Sequence, residues 1–145
     1  MSPARRFLGR GVVAGVTEGR AIVSREPIVW CHGIDPGSGR IVDVRVSIRG
    51  QSIRDLIFVY PLGKGSTTSS TWMLETLRRG NGPRAIINRE TELIVAAGAV
   101  LGELLYQKQT PVVDQLDADP LAVIETGDWV KVDGDHGIVE VVKAG

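Results

Sequence analysis

The sequence predicts a mixed α/β fold, with β-rich ends around a centre of βαβ units. Short apolar runs of strand length alternate with segments of helical periodicity in the middle of the chain, at 56–59, 72–80, 84–88, 92–105 and 111–113. Strands that are connected through helices in this way run parallel in one sheet. Both ends of the chain instead carry strand-like segments in succession, which predicts a mixed sheet.

The N-terminal part predicts strands followed by a loop. Residues 11–16 and 19–23 are mostly apolar, which predicts two strands joined by a turn at 17–18. Residues 30–39 are dense in Gly, Pro, Asp and Ser, and this composition is typical of a loop. Residues 41–48 alternate apolar and polar side chains, so we expect an extended segment there.

The C-terminal part predicts a short helix and a hairpin. Asp119 is placed to cap a helix at 120–126, which Gly127 ends. Residues 129–132 and 138–142 then alternate apolar and polar side chains around a turn that contains two glycines. This arrangement is a strong signal for a β-hairpin.

Composition limits the classes of function. A length of 145 residues with 43% hydrophobic content predicts a single domain, 1–145, with a core of its own. The 17 basic and 17 acidic residues cancel, whereas a nucleic-acid binder usually has a basic excess. No apolar run reaches the ~18 residues of a membrane span, and the N-terminus has no signal-peptide core. We therefore expect a cytoplasmic protein that binds neither nucleic acid nor membrane.

The chain has only one cysteine and two histidines, which argues against an iron–sulfur or zinc site within it. Cys31 is the only cysteine, so it cannot form an internal disulfide or hold an iron–sulfur cluster alone. The two histidines, His32 and His136, lie far apart, and no spacing resembles a zinc site. If a metal takes part in the chemistry, we expect another chain to supply most of its ligands.

A glycine-containing turn carries a row of hydroxyl side chains from a predicted strand into a predicted helix. The row is Ser66, Thr67, Thr68, Ser69 and Ser70, and it follows Gly63, Lys64 and Gly65. The start of a helix has free backbone N–H groups and the positive end of the helix dipole, which favour an anion. These surroundings also favour ionisation of a serine hydroxyl. The alternative is that Ser66 or Thr67 only caps the helix, although capping does not need five consecutive hydroxyls.

A second group of polar residues follows the predicted strand at 84–88. Ligands of α/β sheets gather at the carboxyl ends of the strands, so we expect Ser66 and Asn88 to face the same crevice. Asn88 and Arg89 are candidates for binding a carboxylate, which the planar guanidinium can hold with two hydrogen bonds. The alternative is that they form a solvated strand end.

A series of short motifs runs in order along nearly the whole chain. They are Gly19-Arg20-Ala21 with Val23, Gly33-Ile34-Asp35-Pro36, Gly50-Gln51-Ser52-Ile53, Gly63-Lys64-Gly65-Ser66-Thr67-Thr68-Ser69-Ser70, Ala85-Ile86-Ile87-Asn88-Arg89-Glu90, Pro111-Val112-Val113-Asp114, and Thr126-Gly127-Asp128 with Val132-Asp133-Gly134-Asp135. Together these motifs resemble the small subunit, or swivelling domain, of the aconitase X family. The resemblance implies a swivelling β/β/α domain. It also implies a large catalytic partner subunit, in a heterodimer or larger assembly, that holds an iron–sulfur cluster, expected to be of the 4Fe–4S type.

The resemblance also implies an activity. In the family, the serine of the Gly-x-Gly-Ser element is the proton acceptor, and here that position is Ser66. The implied reaction is a hydro-lyase step, the dehydration of (R)-5-phosphomevalonate to trans-anhydromevalonate 5-phosphate in the archaeal mevalonate pathway of isoprenoid biosynthesis. The predicted substrate-binding residues are Lys64, Gly65, Thr67, Thr68, Ser69, Asn88 and Arg89. Lys64 and the hydroxyl row are the candidates for a phosphate site.

Two features depart from the family pattern. His32 stands where a glycine is usual before Gly33, which bears on the identity of the substrate. The segment 103–109 is longer than the usual link into 111–114, and we expect it to affect only a surface loop.

Three alternative functions stay open at this point. One is the small subunit of a 3-hydroxyproline dehydratase of the same family. A second is a phosphohistidine carrier domain, because residues 126–134 also resemble the mobile domain of phosphoenolpyruvate-using enzymes. That carrier needs a histidine on the loop before the central helix, and residues 66–70 contain none. A non-catalytic binding domain, the third, would leave the clustered hydroxyls unexplained.

Overall fold

The computed structural model describes residues 4–145, which form ten strands and three helices. The strands are β1 (Arg5–Leu8), β2 (Arg10–Val13), β3 (Val16–Val23), β4 (Ile28–Val29), β5 (Ile57–Tyr60), β6 (Gly63–Lys64), β7 (Ala85–Asn88), β8 (Val112–Asp114), β9 (Trp129–Asp133) and β10 (Ile138–Val142). The helices are α1 (Thr68–Arg78), α2 (Leu93–Tyr106) and α3 (Pro120–Val123). Eight strands make one mixed sheet in the order β1-β10-β9-β3-β5-β7-β8-β2, and β4 pairs with β6. The predicted mixed α/β class is confirmed.

The centre of the sheet is parallel, as the alternation of strands and helices predicts. Strands β3, β5, β7 and β8 run in one direction, and β9, β10, β1 and β2 are antiparallel to their neighbours. All four residues of β5 and of β7 are buried, because side chains cover both faces of the sheet there. The predicted hairpin is confirmed as β9 and β10.

Two apolar clusters lie on opposite faces of the sheet. Phe58, Tyr60 and Ile86 pack with Met73 of α1 and Val95 of α2 in one cluster. Their neighbours along the strands, among them Ile57, Val59 and Ile87, pack in the other. This alternation follows from the two-residue period of a strand. It places α1 and α2 on the same face, where the carboxyl end of β5 leads into α1.

Helix α2 packs closely against α1 through small residues. Gly98 and Gly102 are buried in α2. Met73 and Leu77 of α1 occupy the space next to them. The helix is apolar apart from Glu103 and Tyr106. No helix within residues 4–145 has the length and apolar character needed to cross a membrane.

Several predicted boundaries near the N-terminus are wrong. The turn expected at 17–18 does not exist, because β3 runs unbroken through these residues while it pairs with β9. The chain turns earlier, at 14–15, and β2 pairs with β8 rather than with β3. β1 was not predicted as a strand, and it pairs with β10 at the far end of the chain.

The prediction of an extended segment at 41–48 is also wrong, because most of these residues form turns. The Asp43 carboxylate accepts a hydrogen bond from the backbone N–H of Arg45 at 3.0 Å. Backbone bonds from Val46 to Asp43 and from Arg49 to Val46 then close successive turns. Local bonds of this kind compete with strand formation.

Two predicted helix boundaries also differ from the structure. Helix α1 begins at Thr68 rather than at 72, and α3 ends at Val123 rather than at 126.

Candidate active site

The candidate site is the loop between β5 and α1. After β5 the chain forms the two-residue strand β6, in which Gly63 pairs with Ile28 and Lys64 with Val29. On the other side, the carbonyl of Pro61 accepts a hydrogen bond from the backbone N–H of Arg89 at 3.0 Å. The loop is therefore held between β4 and the end of β7 before it reaches Ser66.

Gly65 makes the turn from β6 into α1. Its φ is +126°, which side chains of L-residues rarely allow. A Cβ at this position would lie 2.5 Å from the Ser69 hydroxyl oxygen. A side chain at this position would therefore strain the backbone and crowd the Ser69 hydroxyl, so the turn favours glycine.

Ser66, Thr67 and Thr68 are exposed at the N-terminus of α1. Thr67 is the N-cap residue, but its side chain makes no capping hydrogen bond, and Ser66 lies one residue before it. The first α1 bonds run from the N–H of Ser69 to the Ser66 carbonyl and from Ser70 to Thr67. The N–H groups of Thr67 and Thr68 have no acceptor within residues 4–145. The capping alternative is therefore not realised, and two backbone donors stay free beside the hydroxyls.

Ser69 and Ser70 point into the fold instead. Ser69 is 1% exposed, and its oxygen accepts a hydrogen bond from the backbone N–H of Cys31 at 3.4 Å. The Ser70 hydroxyl donates to the carbonyl of Ile94 at 2.8 Å, which fastens α1 to α2. The structure thus gives both serines a packing role, and the predicted substrate contact of Ser69 rests on the sequence alone.

Asn88 is fully buried at the end of β7. Its amide nitrogen donates to the carbonyl of Tyr60 at 3.0 Å, and its amide oxygen accepts from the Thr91 hydroxyl at 3.3 Å. These bonds hold the ends of β5 and β7 side by side, so Asn88 supports the loop that carries Ser66. The carboxylate-binding role of Asn88 stays a prediction.

Arg89 is exposed and forms an ion pair with Asp119 of the same chain. Its guanidinium makes two hydrogen bonds of 2.9 Å with the Asp119 carboxylate, which also caps α3 as predicted by accepting from Leu121 N. The bonds with Asp119 raise the pKa of Arg89, and they lower the pKa of Asp119. Both residues line a cavity of about 280 Å³, and no residue of the hydroxyl row lines that cavity.

Lys64 borders a different cavity, of about 200 Å³. Its neighbours there include Glu26, Asp43 and Arg45, so the lining is charged. Lys64 is exposed and lies two residues before Ser66, at the edge of β6. Its ammonium group is therefore available to an anion near the loop.

A cavity of about 460 Å³ begins at Thr68 of the hydroxyl row. It is lined by Thr68, Thr71, Trp72, Leu74, Glu75, Pro36 and Tyr106. The helical spacing of Thr68, Thr71 and Trp72 could have shown that they share one face of α1. Tyr106 belongs to the segment 103–109, whose first part extends α2. The expectation that this segment affects only a surface loop is therefore wrong.

Sequence reasoning missed Glu92, which lies beside the loop. Its Oε1 is the only buried side-chain nitrogen or oxygen without a hydrogen-bond partner in the part of the chain that the structure describes. A Cβ on Gly63 would lie 2.6 Å from this oxygen. Burial raises the pKa of Glu92 above its ordinary value of 4.5.

We predict that Glu92→Gln stabilises the protein at neutral pH but not in acid. Because the pKa of Glu92 is raised on folding, the folded state binds more protons than the unfolded state above pH 4.5. Its contribution to stability is present below pH 4.5 and is lost as the pH rises through the folded pKa. The thermal midpoint of the variant should exceed that of the wild type by about 2–4 °C at pH 7 and match it near pH 4. Glu103→Gln, on the exposed side of α2, controls for loss of a surface charge. A gain that does not vary with pH would contradict the prediction.

The described residues do not fit an iron–sulfur cluster. No group of three or more His, Cys, Asp or Glu side chains within residues 4–145 is arranged to hold a metal ion. Cys31 is half-buried and is the only thiol of the chain. A cluster needs several thiolates, so this chain alone cannot supply its ligands.

The fold and the exposed serine loop define a swivel domain of the aconitase X type. The family model for the aconitase X swivel domain matches residues 6–141, so this chain belongs to that family. A crystal structure of the holo form of aconitase X from Thermococcus kodakaraensis matches with a TM-score of 0.86 and 40% identity, over 96% of this chain and 99% of that chain.

Two relatives carry a more specific name. The phosphomevalonate dehydratase small subunit of Methanosarcina mazei is 40% identical over 140 residues, which are 97% of this chain and 93% of the relative. The phosphomevalonate dehydratase small subunit of Thermococcus kodakarensis is 43% identical over 141 residues, 97% of this chain and 98% of the relative. The chain is therefore similar to these subunits over almost its whole length.

Proposed function

We propose that this chain is the small subunit of a two-chain hydro-lyase that dehydrates (R)-5-phosphomevalonate to trans-anhydromevalonate 5-phosphate. Its similarity to subunits of that name, at about 40% identity over nearly the full length, supports this substrate over 3-hydroxyproline. Membership of the aconitase X family disfavours the phosphohistidine carrier. The observation that carries the catalytic role is the exposed Ser66 beside two free backbone N–H groups.

The reaction removes a proton from the carbon beside the carboxylate and a hydroxyl from the next carbon. We assign the proton transfer to the Ser66 hydroxyl oxygen, acting as an alkoxide. A serine hydroxyl is a weak base at neutral pH, so the alkoxide needs donors and positive charge around it. The N–H groups of Thr67 and Thr68, the positive end of α1 and the ammonium of Lys64 are the sources available in this chain.

The same end of α1 is the proposed site for the substrate phosphate. Thr67 and Thr68 combine exposed hydroxyls with free N–H groups, and Lys64 adds a charge. Ser69 and Ser70 are less suited to this role, because their hydroxyls bond within the fold. The proposed phosphate site therefore centres on Thr67 and Thr68.

The partner subunit completes the site. Ser66 is exposed, and a base of this kind needs a dry setting, so a second chain must cover the loop. The family suggests an iron–sulfur enzyme. Because this chain lacks the ligands, we assign the cluster to the large partner subunit, in a heterodimer or a larger assembly. When bound, such a centre supplies a Lewis acid for the leaving hydroxyl.

Co-expression with the large subunit tests the proposed function. We expect the purified pair to dehydrate 5-phosphomevalonate, and each chain alone to show no turnover, because the base and the metal centre lie on different chains. The pair should leave 3-hydroxyproline unchanged. Preference for 3-hydroxyproline, or no turnover of either compound by a correctly assembled pair, would refute the assignment.

A further inference from the structure

Tyr60 is completely buried at the end of β5, where the loop to Ser66 begins. Its phenolic oxygen accepts a hydrogen bond from the indole N–H of Trp30 at 3.2 Å. Trp30 is 1% exposed, and the centroid of the Phe58 ring lies 6.1 Å from that of Trp30 and 4.6 Å from that of Tyr60. A phenylalanine would fill nearly the same apolar space, so packing alone does not account for a hydroxyl at position 60.

The residue before Trp30 lies against the end of the loop. Val29 of β4 pairs with Lys64 of β6. A Cβ on Gly65 would lie 3.7 Å from the Cγ1 of Val29, which is an ordinary contact distance. Val29 therefore adjoins the two residues that directly precede Ser66.

The residue after Trp30 lies against the same turn. The backbone N–H of Cys31 donates to the hydroxyl oxygen of Ser69 at 3.4 Å. A Cβ on Gly65 would lie 2.5 Å from that oxygen, so Cys31 and the turn meet at one hydroxyl. Residues 29–31 thus border the turn on both sides of Trp30, while the indole between them packs in the core.

The backbone of Tyr60 is held separately, by β7. Its carbonyl accepts a hydrogen bond from the side-chain amide of Asn88 at 3.0 Å, and the two residues are partners in the parallel pairing of β5 with β7. Tyr60 therefore belongs to the centre of the sheet, and its hydroxyl connects that centre to residues 29–31.

We propose that the hydrogen bond between Trp30 and Tyr60 positions Ser66 for proton transfer. The inference rests on the proposed function. Because both side chains are buried, they act through the loop and not by contact with the substrate. A base must stay within hydrogen-bonding reach of the proton that it removes, and small displacements of the base lower the rate. Burial also raises the pKa of Tyr60 above its ordinary value of 10.0, so the phenol keeps its proton at neutral pH and is not itself the base.

Four variants test the proposal in the assembled two-chain enzyme. Tyr60→Phe removes only the hydroxyl, Trp30→Phe removes the donor, and the double variant removes both. Val139→Ala is the control for lost stability, because Val139 is completely buried in β10, in the cluster on the other face of the sheet. Each variant is measured for kcat and KM with 5-phosphomevalonate, for its thermal midpoint, and for amide hydrogen exchange in peptides that cover residues 62–70.

We expect Tyr60→Phe to lower kcat about tenfold and to leave KM within about twofold of the wild type. KM changes less because Ser70 fastens the start of α1, the proposed phosphate site, directly to α2. Amide exchange across 62–70 should be faster than in the wild type. Both Tyr60→Phe and Val139→Ala should lower the thermal midpoint, by about 2–6 °C, but Val139→Ala should keep the wild-type kcat and the wild-type exchange across 62–70.

The double variant separates the bond from the two residues that form it. If Trp30 and Tyr60 act through one bond, the double variant loses no more kcat than the more impaired single variant. Losses in kcat that multiply would refute the proposal. A kcat of Tyr60→Phe equal to that of Val139→Ala would also refute it, because the effect would then be one of stability alone.

The two levels of the inference fail separately. If the wild-type complex does not dehydrate 5-phosphomevalonate, the proposed function is wrong, and hydrogen exchange still decides whether the bond holds the turn. If exchange across 62–70 is unchanged in Tyr60→Phe, the positioning role is refuted whatever the turnover.

Discussion

Ser66→Ala is expected to lose most turnover while the two-chain complex still assembles. Removal of a positioned base slows a reaction by roughly 10²–10⁴-fold. Ser66 is exposed and does not cap α1, so its hydroxyl contributes little to folding. The loss should therefore appear in kcat, while co-purification with the partner and the thermal midpoint stay at wild-type values.

Ser47→Ala is the matched control for that experiment. Ser47 is also exposed, and it is not among the residues that we place at the start of α1; its hydroxyl donates to the Glu26 carboxylate at 2.9 Å. The control should retain wild-type kcat. If Ser66→Ala keeps turnover within about tenfold of the wild type, Ser66 is not the base.

Asp114→Ala is expected to cause the largest loss of stability. The Asp114 carboxylate is completely buried and accepts two hydrogen bonds from Arg10, at 2.9 and 2.8 Å, and one from the N–H of Thr91 at 2.7 Å. Alanine leaves these donors without their acceptor and opens a cavity at the end of β8. We expect the free energy of unfolding to fall by about 2–4 kcal/mol, measured by urea denaturation.

Asp117→Ala is the control for position 114. Asp117 is exposed and accepts a single hydrogen bond, from the N–H of Leu8 at 3.2 Å. Water replaces that acceptor easily, so the loss should be much smaller. An equal loss in the free energy of unfolding at the two positions would show that the hydrogen bonds of Asp114 with Arg10 and Thr91 do not contribute the stability that we assign to them.

Local sequence patterns predicted the centre of the fold better than its edges. The apolar runs of β5 and β7 specify burial by themselves, because every residue of these two strands is buried. In α2 the small residues mark only the face that packs against α1, since Leu93, Leu104 and Leu105 on the same helix are exposed. The partners of β1 and β2, by contrast, lie 99 or more residues away in the sequence. No local pattern encodes such a pairing. At 41–48, the hydrogen bond that the Asp43 side chain accepts from the backbone of Arg45 favours turns over an extended chain.

The candidate site was predictable in its position and only partly in its detail. Glycines followed by hydroxyls placed Ser66 at the start of a helix, and the structure agrees. Which hydroxyls face solvent depends on how α1 is rotated against α2 and on the contact between Ser69 and Cys31. The burial of Glu92 depends on its approach to Gly63, which is distant in sequence. These are tertiary contacts that spacing along the chain does not reveal.

Release of label from the substrate tests the role of Ser66 most directly. The assembled enzyme is given 5-phosphomevalonate deuterated at the carbon beside the carboxylate, and loss of deuterium from the total substrate and product is followed by mass spectrometry. We predict that the wild type releases the label into water as it turns over. Ser66→Ala should release it at least about 10²-fold more slowly, with an unchanged Kd for the substrate. Release at the wild-type rate from Ser66→Ala would contradict the assignment of the proton acceptor to this serine.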